Sequence, residues 1–200
     1  RFSSLVGLVF RVRLVNGLFE LEAHTVIQRA ELEVAKRLAE VTLGLKPKKK
    51  DVYDLSKEKR DLPRLVLIQG CMTESHNPHS GVSYYGMPVR ESLATLVHPN
   101  ELLDGAVGVN CTRGECHHPT TWDWQNHPLV LGLYHEHGKR LNFAGVIFER
   151  IRFETFHGKE VIAQNTAQLG ATLRADGALV TWVGGGNAFV DVMLTIQACE

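Results

Sequence analysis

"RLVLIQG", residues 64–70, is the stretch on which the fold turns, because Leu65, Val66, Leu67 and Ile68 run without polar interruption between Pro63 and Gly70. A short apolar, partly β-branched run bounded by Pro and Gly suits a strand buried on both faces. Such strands belong to sheets covered by helices. Outward from it, "ATLVHP" (94–99), "GAVGVN" (105–110), "FAGVIFERIRF" (143–153) and "ALVTWV" (178–183) read as further strands. Pro99-Asn100-Glu101 opens a turn or short helix. Asn126-His127-Pro128 has the cap-then-proline form of a helix start, and that helix is expected to run to Gly138. Lys159 to Arg174 reads as a helix, and "GGGNAF" (184–189) leads into a last one. Strand and helix alternate from residue 64 onward. The expected class is therefore α/β, with a mixed or mostly parallel sheet flanked by helices.

Upstream, Val6 to Val15 alternates and reads as a strand before the turn Asn16-Gly17. From Glu20 to Leu43 the residues Ala23, Val26, Ile27, Ala30, Val34, Leu38 and Val41 recur at steps of three and four. That period predicts a long N-terminal amphipathic helix, ended by Gly44 and Pro47, whose apolar stripe is expected to be core. The organisation follows: residues 1–45 as strand and long helix, 46–63 as a charged linker containing "KPKKK", and 64–200 as the α/β domain. The chain lacks an initiator Met and ends inside an amphipathic pattern, so an internal fragment of a longer chain is expected.

Net charge is zero over 200 residues, with 44% hydrophobic and 22% charged residues. A neutral chain carries no electrostatic footprint for nucleic acid or an anionic membrane. No apolar stretch approaches the ~20 residues of a transmembrane helix, and the start lacks the form of a cleavable leader. Cys71, Cys111, Cys116 and Cys199 have irregular spacing, so no secreted disulfide framework is expected. The reduced cytoplasm is the expected compartment.

The chemistry concentrates in "VGVNCTRGECHHPTTWDWQNHP", residues 107–128. Cys111, Cys116, His117 and His118 are zinc-ligand types, but adjacent histidines turn onto one ion with difficulty and no second C-x-x-C is present, so no metal is expected. "YHEH" (134–137) lacks the spacing of H-E-x-x-H, and His137 is expected to be a satisfied core histidine. "TWVGGGNAF" has the strand–glycine–helix order that favours an anion, yet Phe189 stands where G-x-G-x-x-G needs its last Gly. A tight turn with positive φ is the plainer alternative. Cys111 or Cys71 with His117 or His76 offers a nucleophile–base pair of a kind that chance also supplies.

After the first strand, "CMTESHNPHSGVSYYGMP" (71–88) reads as a polar loop, presenting Cys71, Glu74, His76 and His79 from a strand end, where α/β proteins place their sites. The Asn110-Cys111 bond adds a different option. A cysteine thiolate can attack the preceding carbonyl, and loss of the cysteine α-proton then expels the sulfur and leaves a keto terminus. Such a route needs a base and an oxyanion donor. Arg113, His117 and His118 are residues of those types close by.

Three runs carry a resemblance: "GCMTESHNPHSGVSYYGMPVRE", "HPNELLDGAVGVNCTRGE" and "TWVGGGNAFVDVM". Together they resemble the proprotein subunit of amino-acid reductase component B, the glycine/sarcosine/betaine reductase family, to which the D-proline reductase proprotein is related. The resemblance spans roughly residues 20 to 200 and is most specific at "NCTRGE". It implies cleavage between Asn110 and Cys111, with Cys111 becoming a covalent pyruvoyl group that takes the substrate amine as a Schiff base for reductive deamination. Under it His117, His118 and Arg113 join Asn110 and Cys111 as catalytic positions. His76, His79, Gly185, Gly186 and Asn187 are the implied substrate-binding positions. The implied partners are a selenocysteine-containing component B subunit, the other complex components and a small amino acid. A metal-binding module on residues 111–118, or a non-catalytic structural α/β subunit, are the alternatives.

Overall fold

The structure, a computed structural model, describes residues 9, 11–72, 81–85, 87–89, 92–110, 121–151, 155–183 and 186–200. The chain divides into two compact units, residues 1–50 and 51–200.

The first unit is built on α1 (Glu20–Thr42). Its start is closed by the Glu22 carboxylate, which accepts the Phe19 N–H at 3.1 Å, and Gly44 follows its end at φ +83°. Asn16-Gly17 forms the expected turn, with Gly17 at φ +92°. Two expectations are corrected. Val9 and Arg11–Val15, the described part of the proposed N-terminal strand, form no strand. Alternation marks a face, but a strand also needs a ladder partner. The helical stripe is likewise not a core: Leu38 is 52% and Val41 75% exposed.

The second unit contains, in chain order, β1 (Arg64–Met72), β2 (Gly81–Tyr84), β3 (Met87–Pro88), β4 (Thr95–Val97), α2 (Pro99–Leu103), β5 (Val107–Asn110), α3 (Thr121–Gln125), α4 (Pro128–Glu136), β6 (Asn142–Ile151), α5 (Phe156–Thr172), β7 (Gly177–Trp182) and α6 (Ala188–Cys199). Its main sheet has the order β4-β6-β1-β7. Strand β1 is central and parallel to both β6 and β7, and β4 adds an antiparallel edge, so the sheet is mixed. A second, antiparallel sheet has the order β3-β2-β5. It corrects the reading of residues 71–88 as loop throughout, since Gly81–Tyr84 and Met87–Pro88 are paired. The five-residue α3 was not anticipated.

The apolar run of β1 is buried from Val66 to Cys71, as a central strand requires. Alternation sends Leu67 and Cys71 to one face, into a cluster with Val82, Val107, Trp124 and Phe148. Val66 and Ile68 face the other way and pack with Ile147, Leu169 and Val180. Residues 51–63, without helix or strand, lie against this body. The Asn142 amide donates to the carbonyls of Lys59 and Leu62, and its oxygen accepts the Lys59 N–H at 3.0 Å.

Gly70 is a glycine for want of space. A Cβ there would stand 2.9 Å from Ile151 Cγ2 and 3.1 Å from Trp182 Cβ. Ile151 and Trp182 pack in turn on Ala188 at the start of α6. Gly70→Ala should therefore lower stability by about 1–3 kcal/mol through overpacking. Urea denaturation checks it, and an unchanged midpoint would show that the sheet yields freely at this point.

Candidate functional site

The carboxyl ends of three parallel strands lie side by side: Gly70 is opposite Glu149 of β6 and Trp182 of β7. Open α/β sheets place sites outside such ends. Three sequence segments outside the described residues, 73–80, 152–154 and 184–185, continue from these ends.

On the helical face, β6 directs Glu149 inward between α5 and α6. It is 1% exposed, and its Oε2 accepts the hydroxyls of Thr166 (α5) and Thr195 (α6), each at 2.9 Å. Its Oε1 has no partner among the described residues. Burial pushes the carboxyl up to about 7; the two threonine hydroxyls pull it down only partly, and the Asp191 charge pushes it further up. Beside it Lys159, in the first turns of α5, donates to Asp191 Oδ2 of α6 at 2.5 Å, both side chains being about 95% buried.

The folded Glu149 carboxyl thus binds its proton more tightly than the unfolded one, whose ordinary value is 4.5. Its contribution to stability is complete below about pH 4.5 and is lost as pH rises through about 7. Glu149→Gln should therefore flatten the parent's fall in stability across that window, measured as denaturation midpoints against pH. A parallel pair of profiles would refute it.

On the opposite face the Gln69 side chain organises a second network. Its Oε1 accepts the Thr181 hydroxyl at 2.8 Å and meets His127 Nε2 at 3.1 Å. His127 caps α4, its Nδ1 accepting the Val130 N–H at 3.5 Å, so the proton resides on Nε2 and is donated to Gln69. Burial favours the neutral imidazole.

The sequence-predicted residues distribute as follows. Asn110 is the last residue of β5, and its backbone is paired with Gly81 of β2. Gly186 adopts φ +59° in the turn before α6, which Asn187 caps through its backbone position. The N–H groups of Phe189 and Val190 are taken by the carbonyls of Gly186 and Asn187. Cys111, Arg113, His117, His118, His76, His79 and Gly185 lie outside the described residues, as does Cys116. Among the described residues no three His, Cys, Asp or Glu side chains gather as a metal site, and no helix is long and apolar enough to cross a membrane.

Two weighed options are corrected. Cys71 is 2% exposed, and burial followed by the Glu149 charge pushes its thiol far up, which removes the thiolate a nucleophile needs. His137 is buried but only half satisfied: Nδ1 accepts the Phe143 N–H at 2.9 Å, while Nε2 has no partner among the described residues. Glu149, Lys159, Asp191 and Gln69 were missed. The available signal was a lone carboxylate at an inward position of an otherwise apolar strand.

A family model described as glycine/sarcosine/betaine reductase component B subunits matches residues 1–200. The chain is 28% identical to the sarcosine reductase complex component B subunit alpha of Peptoclostridium acidaminophilum, over 99% of this chain and 47% of that protein. It is 30% identical to the betaine reductase complex component B subunit alpha of the same organism, over 84% of this chain and 39% of that protein. Identity is 28% to the glycine reductase complex component B subunits alpha and beta of Acetoanaerobium sticklandii, over 98% of this chain and 46% of that protein. The chain spans about half the length, or less, of these relatives. No solved structure matches it.

Proposed function

The chain belongs to the glycine/sarcosine/betaine reductase component B family, and from that premise we propose that it is part of a reductase subunit that cuts itself between Asn110 and Cys111. The observation that carries this is the pairing of Gly81 with Asn110. It joins the strand that follows the segment of His76 and His79 to the strand that ends at the junction. Two of the three runs that carry the resemblance are thereby neighbours in space.

The strand suits a scissile junction. Val107, at the start of β5, is fully buried, and Asn110 is paired along the ladder, so the upstream half of the bond is anchored. In the proposed reaction Cys111 Sγ adds to the Asn110 carbonyl carbon, and the C–N bond breaks as its nitrogen takes a proton. A base then removes the Cys111 α-proton, and the C–S bond breaks to release the upstream chain as a thiocarboxylate. The dehydroalanine left behind tautomerises, and water displaces ammonia. No oxidant or reductant is consumed. The resulting pyruvoyl group supplies an electrophilic ketone for a substrate amine.

His117 and His118 are the proposed bases, and Arg113 with the turn at Gly185, Gly186 and Asn187 the proposed carboxylate holders. His76 and His79 complete the substrate side. A selenocysteine-containing subunit and the other components of the complex are the proposed partners, and the cytoplasm the proposed location.

The test is a denaturing mass spectrum of the full-length protein matured with its natural partners. Two chains meeting at 110/111, the second without its cysteine sulfur and amine, are expected. An uncut chain, or a fragment beginning with intact cysteine, would overturn the proposal.

A further inference from the structure

The two edges of the main sheet are finished differently. Strand β4 closes one edge with three residues, Thr95–Val97, antiparallel to β6. A very short edge strand is one way in which sheets prevent further pairing. Strand β7 forms the other edge with six residues, Gly177–Trp182, in unbroken register with β1 and with neither Pro nor a charged residue. Among the described residues no strand pairs with its outer side. One strand inward, Val66–Cys71 of β1 is buried throughout, whereas the adjacent residues Ala178 and Leu179 of β7 are exposed. Alternation puts Ala178 on the face of Val180, which packs towards α5, and Leu179 on the opposite face. The edge is thus open on both faces at once.

Helix α6 supplies an independent observation. Its inner side carries Ala188, Asp191, Val192 and Thr195, and Asp191 is its one charged residue. Its outer side carries Phe189 (51% exposed), Val190, Met193 (48% exposed) and Ile196, and no charge. A helix whose outer side is as apolar as its inner one belongs in an interior. The rings of Phe189 and Trp182 meet with centroids 6.0 Å apart, so this apolar side adjoins the end of β7.

The hand of the connections says where a further strand goes. Strands β6, β1 and β7 are parallel, and the chain passes from β6 through α5 to β7, over β1. Helix α6 lies on the same face as α5: Glu149 accepts hydroxyls from both helices, and Lys159 of α5 donates to Asp191 of α6. Parallel strand–helix–strand connections are right-handed almost without exception. Two connections of one hand, with their helices on one face, advance in the same direction across the sheet. The step from β6 to β7 runs outward, so a parallel strand after α6 lands beyond β7, on the open edge. A helix returning from that strand lies against α6 as α6 lies against α5. The relatives are long enough for such an addition, since the chain covers only 47% of the sarcosine reductase subunit.

We propose that the β7 edge receives a parallel strand of the same polypeptide, supplied by sequence downstream of Glu200. Strand β7 then becomes an interior strand of the sheet and α6 a covered helix. The proposal is independent of scission, because β7 and the sequence after Glu200 lie on the same side of the 110/111 bond.

Amide hydrogen exchange of the mature full-length protein, read residue by residue, tests the pairing. Successive N–H groups of a strand point to opposite sides. With β1 as sole neighbour, every second amide of Ala178–Trp182 exchanges freely. With a strand on each side all of them are slowed, by at least about a hundredfold. The expected result is protection of every amide that persists on dilution and without the other components of the complex. Alternating protection overturns the proposal, as does protection that requires a second copy or another component. Benzoylphenylalanine in place of Leu179 then identifies the occupant by photo-cross-linking. The side chain stands off the sheet face, so the probe leaves the ladder free. Cross-links to sequence downstream of Glu200 are expected, and a probe that stays free or reacts only elsewhere overturns the assignment.

Discussion

Full-length protein carrying Cys111→Ala is expected to remain a single polypeptide after maturation, whereas the parent is expected to separate into two chains under denaturing conditions. The effect is all-or-none because the proposed route has one nucleophile. A backbone amide is a poor electrophile, and an unassisted peptide bond does not break on the time scale of protein maturation. Alanine keeps the backbone and removes the only atom able to convert the amide into a thioester. Cys111→Ser retains an attacking oxygen that is a weaker nucleophile and a poorer leaving group than sulfur. It should cut slowly and yield the same keto terminus. A hydrazine label should mark only the downstream fragment of the parent, mark the serine variant in proportion to its cutting, and leave the alanine variant unmarked. Scission in Cys111→Ala, or labelling without scission, would place the chemistry at another residue.

Much of the α/β unit was legible because its strongest signals are local. The uninterrupted run Leu65–Ile68 could be nothing but a buried element, and Pro63 stands just before its start, although β1 continues through Gly70 to Met72. The cap-then-proline pattern at His127-Pro128 marks the observed start of α4. The glycines after Trp182 separate β7 from α6 as expected. What escaped was short or depended on distant partners. Strands β2 and β3 have four and two residues, in a segment whose Gly, Pro and Ser content reads as loop. Only the pairing of Gly81 with Asn110, 29 positions apart, makes that segment a sheet. The periodicity of α1 was real, but a periodic stripe shows that one face differs from the other and not that anything covers it.

The strand-end site divides in the same way. Its glycine turn could be read in place, since Gly186 answers to positive φ, whereas the crowding at Gly70 comes from Ile151 and Trp182 on other strands. Its polar interior could not. Lys159 and Asp191 are 32 residues apart, and Glu149 meets Thr195 across 46. On their own helices Lys159 and Asp191 look like ordinary solvated charges. Each becomes a buried group only when α5 and α6 pack against one another over β6, so no spacing rule within either helix would reveal them.

That burial makes Lys159→Met the substitution with the largest expected effect on folding. Lys159 and Asp191 are 5% and 4% exposed, and the neighbouring Glu149 already feels the Asp191 charge. Methionine matches the lysine stem in volume, so packing changes little and the loss is electrostatic: the Asp191 carboxylate stays in a poorly hydrated interior without the Lys159 charge. Breaking such a pair costs about 3–5 kcal/mol, a third or more of the stability of a typical domain. Replacing both partners, Lys159→Met with Asp191→Leu, removes the charge along with its need for a partner. It should recover most of the loss, as buried pairs exchanged for apolar residues usually do. Because Asp191 helps keep Glu149 protonated, the double variant should also move the pH-dependent loss of stability to lower pH. The pair joins the first turns of α5 and α6. Urea denaturation of the parent, both single variants and the double variant closes the cycle. Single losses that simply add in the double variant would mean that the two helices are held by their apolar contacts alone.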